Sequence, residues 1–443
     1  MSKKYLSSLL ALIGDKVVRI LLGLFVGVWI ARYLGPEEFG RLSYTQSIVA
    51  FITAFCSLGL EGILTKKLTE GNLFQADLLG TSLLLRLSSA LFSVFIVFSI
   101  TPFFSVSVDF EILLLTLSTI SVFQSFSVFD SYLYSKVLGK FIAINSLVAV
   151  TLSSIAKVTV IILDLGINLL AFAIVSEFVF IMFGTLVLAR KLEFSIISWT
   201  FDIRVAKDLM KDSLPLMLSS FVIIIYMKID TIMISKLLDE RSVGVYSAAT
   251  KIAESIYFIP MVISSTLLPY LIKKRKISNE EYNEAFFDLY TIMSTIAFFL
   301  ALMVTIFSES IISILFGSEY IGAASVLSIN IWCSIFVFLG VSCSKWFIIE
   351  GLQKLTFYRT LLGAFLNVVL NFFAIPNFGI EGAAFSTLIS QCFSSYLFNY
   401  FTLKTRHVFF MQTQAIGMIF RPHRFLSVIL KYKRLFFISK IGV

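Results

Sequence analysis

Residues 168–189 read NLLAFAIVSEFVFIMFGTLVLA, and the one charged side chain among these 22 residues is Glu177. An α-helix needs roughly 20 mostly apolar residues to cross the hydrocarbon core of a bilayer. A helix also satisfies its own backbone hydrogen bonds, which lipid cannot do. The stretch therefore predicts a transmembrane helix, and the chain contains about twelve stretches of this kind.

The predicted spans account for almost the whole chain. Hydrophobic residues make up 58% of it and charged residues 14%, and the mean hydropathy is +0.94, far from the values of a soluble domain. We therefore predict an all-α polytopic membrane protein. The spans lie at about residues 9–34, 42–64, 78–101, 111–133, 141–163, 168–189, 213–235, 246–272, 286–307, 322–348, 357–376 and 380–403.

The placement of Lys and Arg predicts the orientation. With the N-terminus in the cytoplasm, 25 of the 36 basic residues fall in cytoplasmic segments, Lys354 and Arg359 among them, and 3 fall on the opposite side. Cytoplasmic loops of membrane proteins carry such an excess. We therefore expect both termini in the cytoplasm. The net charge of +9 then reflects topology and contact with anionic lipid rather than nucleic-acid binding.

The two halves of the chain share short motifs. An offset of 204 residues aligns a basic residue, a Leu, a Gly and a Ser: Arg32 with Lys236, Leu34 with Leu238, Gly40 with Gly244 and Ser43 with Ser247. Because six spans is an even number, both halves enter the membrane in the same direction, as parallel repeats. We predict two six-helix lobes, 1–190 and 213–404, a cytoplasmic interfacial linker at 191–212, and a basic, surface-associated cytoplasmic tail at 405–443.

Metal and nucleophile chemistry is not expected. The four cysteines lie in apolar stretches without a CxxC pair, and the two histidines, His407 and His423, lie near the C-terminus. A structural or catalytic zinc site draws on several such ligands, and a Ser-His-Asp triad needs a histidine among the spans. The chain is therefore predicted not to be an enzyme and to need no metal or organic cofactor.

Ionisable side chains within the spans are candidate functional groups, because a charge at mid-bilayer costs about 2.5–3.5 kcal/mol. Structural pairing is the alternative: Asp15 with Arg19 on one helix face, or Arg86 and Lys157 with acidic residues of other spans. The candidates for a cationic substrate cavity are Arg19, Arg86, Lys157, Lys228 and Lys251. The candidates for binding a coupling proton or sodium ion are Asp15, Glu61, Asp130 and Glu177.

The stretch IARYLGPEEFG at residues 30–40, with Tyr44 and Gln46 after it, resembles the opening signature of Wzx-type polysaccharide repeat-unit flippases. These bacterial proteins form a branch of the multidrug/oligosaccharidyl-lipid/polysaccharide (MOP) exporter superfamily. The resemblance extends over about residues 1–405. It continues in GVYSAA at 244–249 with Lys251, in Asn367 and Asn371, and in Ile375-Pro376 with GIEGAA at 379–384.

The resemblance implies a MATE-like fold of two six-helix lobes around a cavity that is commonly cationic. The implied activity is alternating-access transport of undecaprenyl-pyrophosphate-linked oligosaccharide from the cytoplasmic to the periplasmic leaflet of the bacterial inner membrane. The product would be a surface polysaccharide, either O-antigen or capsule. H⁺ and Na⁺ are candidate coupling ions. A polysaccharide polymerase and a chain-length regulator are candidate partners, beside the lipid bilayer itself.

Other functions compete with this one. A cation-coupled multidrug exporter of the same fold would prefer an acidic, aromatic cavity, and Arg86 and Lys157 argue against it. A membrane-embedded glycan polymerase would use a large periplasmic loop, whereas no predicted periplasmic loop exceeds about fifteen residues. A scaffold without transport activity would not explain the charges within the spans.

Overall fold

A computed structural model describes residues 3–71, 75–101, 108–191 and 199–420. The described residues of the first half form α1 (Lys3–Cys56), α2 (Leu60–Glu70), α3 (Gln75–Ile100), α4 (Val108–Ser118), α5 (Ile120–Gln124), a 3₁₀ turn (Ser125–Ser127), α6 (Val128–Ser135), α7 (Gly139–Ile162), α8 (Gly166–Lys191) and α9 (Ile203–Leu237).

The described residues of the second half are also helical. They form α10 (Glu240–Ser255), α11 (Phe258–Ile277), α12 (Asn279–Ile306), α13 (Ser308–Leu315), a 3₁₀ turn (Ser318–Tyr320), α14 (Ala323–Asn330), α15 (Cys333–Ile349), α16 (Gln353–Cys392), a π-helical turn (Phe393–Leu397), α17 (Phe398–Phe401), α18 (Arg406–Gly417) and a final 3₁₀ turn (Met418–Phe420).

Ten helical segments within the described ranges are long and apolar enough to cross a membrane. Two of them, Gly14–Glu70 with 57 residues and Gln353–Phe401 with 49, are each long enough for two crossings. Both contain a glycine with a left-handed backbone, Gly35 at φ 71° and Gly379 at φ 61°, where the chain turns. The prediction of an all-α membrane protein with about twelve spans is confirmed.

Prolines and breaks divide other spans. The predicted eighth span, 246–272, is interrupted after Ser255, and α11 starts just before Pro260. A proline lacks the backbone N–H that a continuous helix would use, and its ring clashes with the preceding turn. Pro260 accordingly lies in the first turn of α11, just after the break between α10 and α11.

Contacts divide the chain into two compact units, with the boundary between Ser247 and Ala248. In the first unit, α1 packs along α7 and α9, and a core of leucines such as Leu60, Leu64 and Leu79 joins α2 and α3 to α9. In the second unit, α12 packs against α11, α15 and α18 around Phe286 and Phe347. The predicted lobe boundaries, drawn by counting spans, stay a prediction.

The C-terminal segment differs from the prediction. Residues 406–417 form α18, in which Val408, Gln412 and Ala415 are fully buried against the core of the second unit. The spacing of these three residues places them on one helix face, so this part packs into the unit instead of lying on a membrane surface. The basic residues farther along lie outside the described residues: Arg421, Arg424, Lys431, Lys433 and Arg434.

The second half of the predicted linker at 191–212 is helical: residues 203–212 form the first turns of α9. Asp202 caps this helix, since its side chain accepts a hydrogen bond from the backbone N–H of Arg204 at 2.7 Å. The backbone N–H of Asp202 donates to Thr81 Oγ1 of α3 at 3.0 Å. Linker residues 192–198 lie outside the described residues.

Candidate functional site

One carboxylate in the first unit binds two cations from two other helices. Glu177 of α8 accepts a hydrogen bond from Arg19 Nη1 of α1 at its Oε1 atom. Its Oε2 atom accepts one from Lys157 Nζ of α7 at 3.3 Å. The side chains of Glu177 and Lys157 are each 12% exposed, and that of Arg19 is 36% exposed. The cross-helix pairing that the sequence left as an alternative is therefore present for Lys157.

Ser146 of α7 extends this cluster to a second carboxylate. Arg19 Nη2 donates to Ser146 Oγ, and Ser146 Oγ donates to Asp15 Oδ1 at 2.7 Å. Asp15 and Arg19, four residues apart on α1, thus share the hydroxyl group of Ser146. We name Asp15, Arg19, Ser146, Lys157 and Glu177 the α1–α7–α8 cluster. It contains two cations and two carboxylates, and Asp15 is 8% exposed.

Small residues allow the three helices to approach closely. Ala143, Ala149 and Ser153 of α7 are buried, and Ser153 Oγ donates to the carbonyl oxygen of Ala173 in α8 at 2.9 Å. Small side chains let transmembrane helices pack with little separation. Ser146 is not among the site residues predicted from the sequence. Its spacing from Ser153 and Lys157, at i, i+7 and i+11, places all three on one helix face and was the available signal.

Arg86 lies in a different cluster. It is 8% exposed on α3, and its Nη1 atom donates to Ser127 Oγ at 2.9 Å. Its Nε atom has no hydrogen-bond partner among the described residues. Glu61 and Asp130 act on Arg86 electrostatically. The structure therefore groups Arg86 with two of the predicted coupling carboxylates, Glu61 and Asp130, while the other two, Asp15 and Glu177, belong to the α1–α7–α8 cluster.

Lys228 and Lys251 are half-buried on α9 and α10. Asp230, two residues after Lys228, is 5% exposed and accepts a hydrogen bond from the hydroxyl group of Tyr246 at 2.7 Å. Lys251 belongs to the second unit. The roles of the two lysines in a substrate cavity stay predictions.

A cavity of about 570 Å³ lies within the first unit, in the range of small-molecule binding sites. Most of its wall is apolar, with neutral polar groups from Gln46, Thr53 and Gln124. Helix α8 contributes Ile174 and Phe178, which flank Glu177 in sequence, so one helix carries both a cavity wall and the central carboxylate. The lining residues are Gln46, Val49, Ala50, Thr53, Ala54, Ser57, Leu117, Ile120, Gln124, Ile174, Phe178, Ser220, Ile223 and Ile224.

The stretch at residues 30–40 shapes one end of the first unit. The hydroxyl oxygen of Tyr33 accepts a hydrogen bond from the backbone N–H of Gly166 at 2.8 Å. Beyond the turn at Gly35, Gly40 lies against the backbone of Glu240 at the start of α10. Arg41 then forms ion pairs with Glu240 and, at 3.1 Å, with Glu37. These contacts account for Tyr33, Gly40 and Glu37 in this stretch.

A buried arginine of the second unit was missed. The distribution of basic residues predicts a cytoplasmic segment for Arg359, and its side chain is 7% exposed on α16. Its Nη2 atom donates to Gly340 O at 3.0 Å and to Ser344 Oγ at 2.6 Å, and its guanidinium lies 5.2 Å from the centre of the Phe347 ring. The available signal was a spacing of four: Arg359, Gly363, Asn367 and Asn371 share a buried face of the helix.

Comparison with known proteins gives the family. A family model described as "Polysaccharide biosynthesis protein" matches residues 29–325. The fold is similar to that of a lipid II flippase MurJ in an inward closed conformation (TM-score 0.70, 18% identity). This similarity covers 97% of this chain and 99% of the MurJ chain. The fold is also similar to that of an inward-facing MATE transporter of the MOP superfamily (TM-score 0.67, 16% identity, 91% and 96% covered).

Curated relatives are distant. The chain is 22% identical to a probable flippase, AglR, of Haloferax volcanii over 87% of this chain and 80% of that protein. It is 27% identical to the probable low-salt glycan biosynthesis flippase Agl15 of the same organism, but this match spans 37% of the chain and only 35% of Agl15. The MATE-like fold implied by the sequence resemblance is confirmed, and the chain belongs to the polysaccharide biosynthesis protein family of multi-pass membrane proteins.

Proposed function

We propose that this protein is a flippase that moves undecaprenyl-pyrophosphate-linked oligosaccharide repeat units from the cytoplasmic to the periplasmic leaflet of a bacterial inner membrane. Transport would proceed by alternating access and would supply O-antigen or capsule synthesis. The observation that carries this proposal is the α1–α7–α8 cluster, in which Arg19 and Lys157 are held within the membrane-spanning helices. A polysaccharide polymerase and a chain-length regulator are the partners that we propose.

The chemistry of the substrate explains why cations are needed. A pyrophosphate headgroup carries about two negative charges, and moving it through a low-dielectric region without counter-charge is prohibitive. Arg19 and Lys157 supply two positive charges within the first unit. The neutral polar groups of the 570 Å³ cavity are suited to sugar hydroxyls, and its apolar wall is suited to the rest of the carrier.

The comparisons support transport rather than catalysis. The family match concerns polysaccharide biosynthesis, and the two Haloferax volcanii relatives bear the names of probable flippases. A third relative, from Staphylococcus aureus, is named as a capsular polysaccharide biosynthesis protein and is 26% identical over 44% of this chain and 50% of its own length. Polysaccharide or glycan biosynthesis is named in three of these descriptions and a flippase in two.

We further propose that ion coupling uses the buried carboxylates. Asp15 and Glu177 belong to the α1–α7–α8 cluster, and Glu61 and Asp130 lie near Arg86. Each carboxylate therefore belongs to a cluster that contains a cation, where binding of a proton or sodium ion would change the local charge balance. Transport in proteoliposomes should fall when the H⁺ and Na⁺ gradients are collapsed. Unaltered transport would contradict coupling to either ion.

The second candidate is a multidrug exporter, favoured by the similarity to MATE transporters. Such a protein would bind cationic drugs through acidic groups, whereas both carboxylate oxygens of Glu177 are already engaged by Arg19 and Lys157. Deleting the gene in its native host distinguishes the two. We expect loss of surface glycan and accumulation of lipid-linked repeat units on the cytoplasmic side, restored by the wild-type gene. Unchanged glycan with drug hypersensitivity would identify an exporter.

A further inference from the structure

Glu177 occupies the position between the two cations that an incoming anion would need. Its two carboxylate oxygens are used separately, one by Arg19 of α1 and the other by Lys157 of α7. A phosphate group also presents pairs of oxygen atoms, and guanidinium and ammonium groups bind both kinds of anion with charge-assisted hydrogen bonds. The carboxylate and a phosphate are therefore alternative ligands for the same pair of donors.

The charge balance of the cluster also favours displacement of Glu177 by the anion. Arg19 and Lys157 balance Asp15 and Glu177 when all four are ionised. A diphosphate that joined them, with about two negative charges, would leave a surplus of two in a poorly hydrated place, which is costly. Moving the carboxylate of Glu177 away from the cations reduces that surplus. Among the described residues, Asp15 accepts a hydrogen bond from Ser146 and forms no ion pair, so it is not the group that an anion would replace.

We infer that Glu177 is a displaceable counter-ion, whose carboxylate holds Arg19 and Lys157 until the substrate's phosphate replaces it and then competes for them again. This inference rests on the proposed function, because it takes the phosphate-bearing headgroup as the anion. A transport site must bind strongly enough to load and weakly enough to unload. Glu177 weakens binding of the phosphate and thereby speeds its release, so it sets the affinity of the site for the substrate.

The test measures binding of farnesyl diphosphate to the full-length protein in lipid nanodiscs by calorimetry, with farnesol as the phosphate-free probe. Glu177→Gln and Glu177→Ala remove the competing charge, and both should bind farnesyl diphosphate about tenfold more tightly than wild type. Glu177→Asp keeps the charge and should bind within about threefold of wild type. Glu280→Gln, at an exposed residue of the second unit, is the matched control and should not differ.

Transport provides the second readout. In proteoliposomes, Glu177→Gln should bind the diphosphate more tightly yet translocate a lipid-linked glycan more slowly, because release is delayed. A residue with a purely structural role would lower both quantities when it is replaced. Opposite changes in binding and transport are therefore the expected signature.

One outcome would contradict the role of Glu177, and another would contradict the anion site itself. If Arg19→Ala and Lys157→Ala lose binding while both neutral Glu177 variants bind no more tightly than wild type, Glu177 is structural and the inference is wrong, although the proposed function stands. If wild type binds farnesyl diphosphate no better than farnesol and the cation variants match it, the proposed anion site is itself wrong. A Glu177→Ala variant that does not fold leaves Glu177→Gln to decide, since its amide keeps the shape of the side chain.

Discussion

Gly40 and Gly244 pack reciprocally against each other's helices within the first unit. A Cβ atom on Gly40 would collide with the carbonyl oxygen of Glu240, and a Cβ atom on Gly244 would collide with that of Pro36. The separation from Pro36 to Glu240 is 204 residues, and so is that from Gly40 to Gly244. The repeat seen in the sequence is therefore also a symmetric contact in space, where α1 and the start of α10 touch backbone to backbone.

Gly40→Ala and Gly244→Ala should each impair transport, because the added methyl group meets backbone that cannot move aside. Overpacking of this kind costs about 1–3 kcal/mol in the free energy of unfolding. We expect a lower thermal unfolding temperature and less surface glycan at normal membrane abundance. Gly23→Ala is the control on the same helix, since nothing lies within 4 Å of its added Cβ. Normal glycan in both variants would show that the close contact is dispensable.

Lys157→Ala should cut surface glycan sharply, whereas Lys157→Arg should keep part of it because charge matters more than donor geometry here. A double-mutant cycle on thermal unfolding in nanodiscs adds a sharper measurement. Lys157 and Glu177 are in contact and should show a coupling energy of about 0.5–3 kcal/mol. Lys157 and Arg86, in different clusters, should be additive within about 0.5 kcal/mol.

Arg86→Ala should also lower surface glycan, as the sequence predicted for a cationic residue within a span. A double variant of Lys157 and Arg86 with wild-type glycan and abundance would remove both residues from the transport mechanism. A strong coupling between the two would contradict their placement in separate clusters.

The sequence predicts the elements of this site better than their arrangement. Hydropathy alone places Arg19, Lys157 and Glu177 within spans, because a charge in an apolar stretch is conspicuous. The pairing of carboxylates with cations depends on how the helices rotate and cross. Small residues such as Ser146 and Ser153 determine that geometry, and a hydropathy profile gives no information about it. The pairing of Glu177 with both cations could therefore only be offered as one alternative.

The burial of Arg359 is not predicted by the distribution of basic residues. Counting basic residues near span ends places it in a cytoplasmic segment, which concerns the orientation of the chain and carries no information on burial. Its burial follows from the face it shares with Gly363, Asn367 and Asn371, a three-dimensional property of α16. The burial of α18 is likewise a three-dimensional property. The basic residues of the tail indicate a surface segment, whereas Val408, Gln412 and Ala415 are buried.

Arg359→Ala should destabilise the protein, because it removes hydrogen bonds to Gly340 and Ser344 and the contact with Phe347. Loss of a buried, charged hydrogen-bond donor costs about 1.5–3 kcal/mol. Lys354→Ala is the matched control, an exposed basic residue at the start of the same helix. The thermal unfolding temperature in nanodiscs should fall for Arg359→Ala but not for Lys354→Ala. Equal stability of the two variants would contradict a structural role for the buried guanidinium.

Reporter fusions test the predicted orientation. Fusions after Lys66, Lys136, Lys207 and Lys274 should report cytoplasm, and fusions near Val108, Asp239 and Glu319 should report periplasm, as the distribution of basic residues predicts. The C-terminal fusion should follow Val443, because truncation after Lys404 would remove the packed helix α18. A periplasmic C-terminus would contradict the even number of spans.

We propose above all that Arg19 and Lys157 carry the phosphate of a lipid-linked glycan across the membrane. The most direct measurement is translocation of a fluorescent, undecaprenyl-pyrophosphate-linked oligosaccharide by purified protein in proteoliposomes, followed by quenching from outside. We expect translocation by wild type, a large loss in Lys157→Ala and in Arg19→Ala, and normal activity in the exposed control Glu280→Gln. Equal translocation by wild type and the two cation variants, at equal reconstitution, would contradict the account.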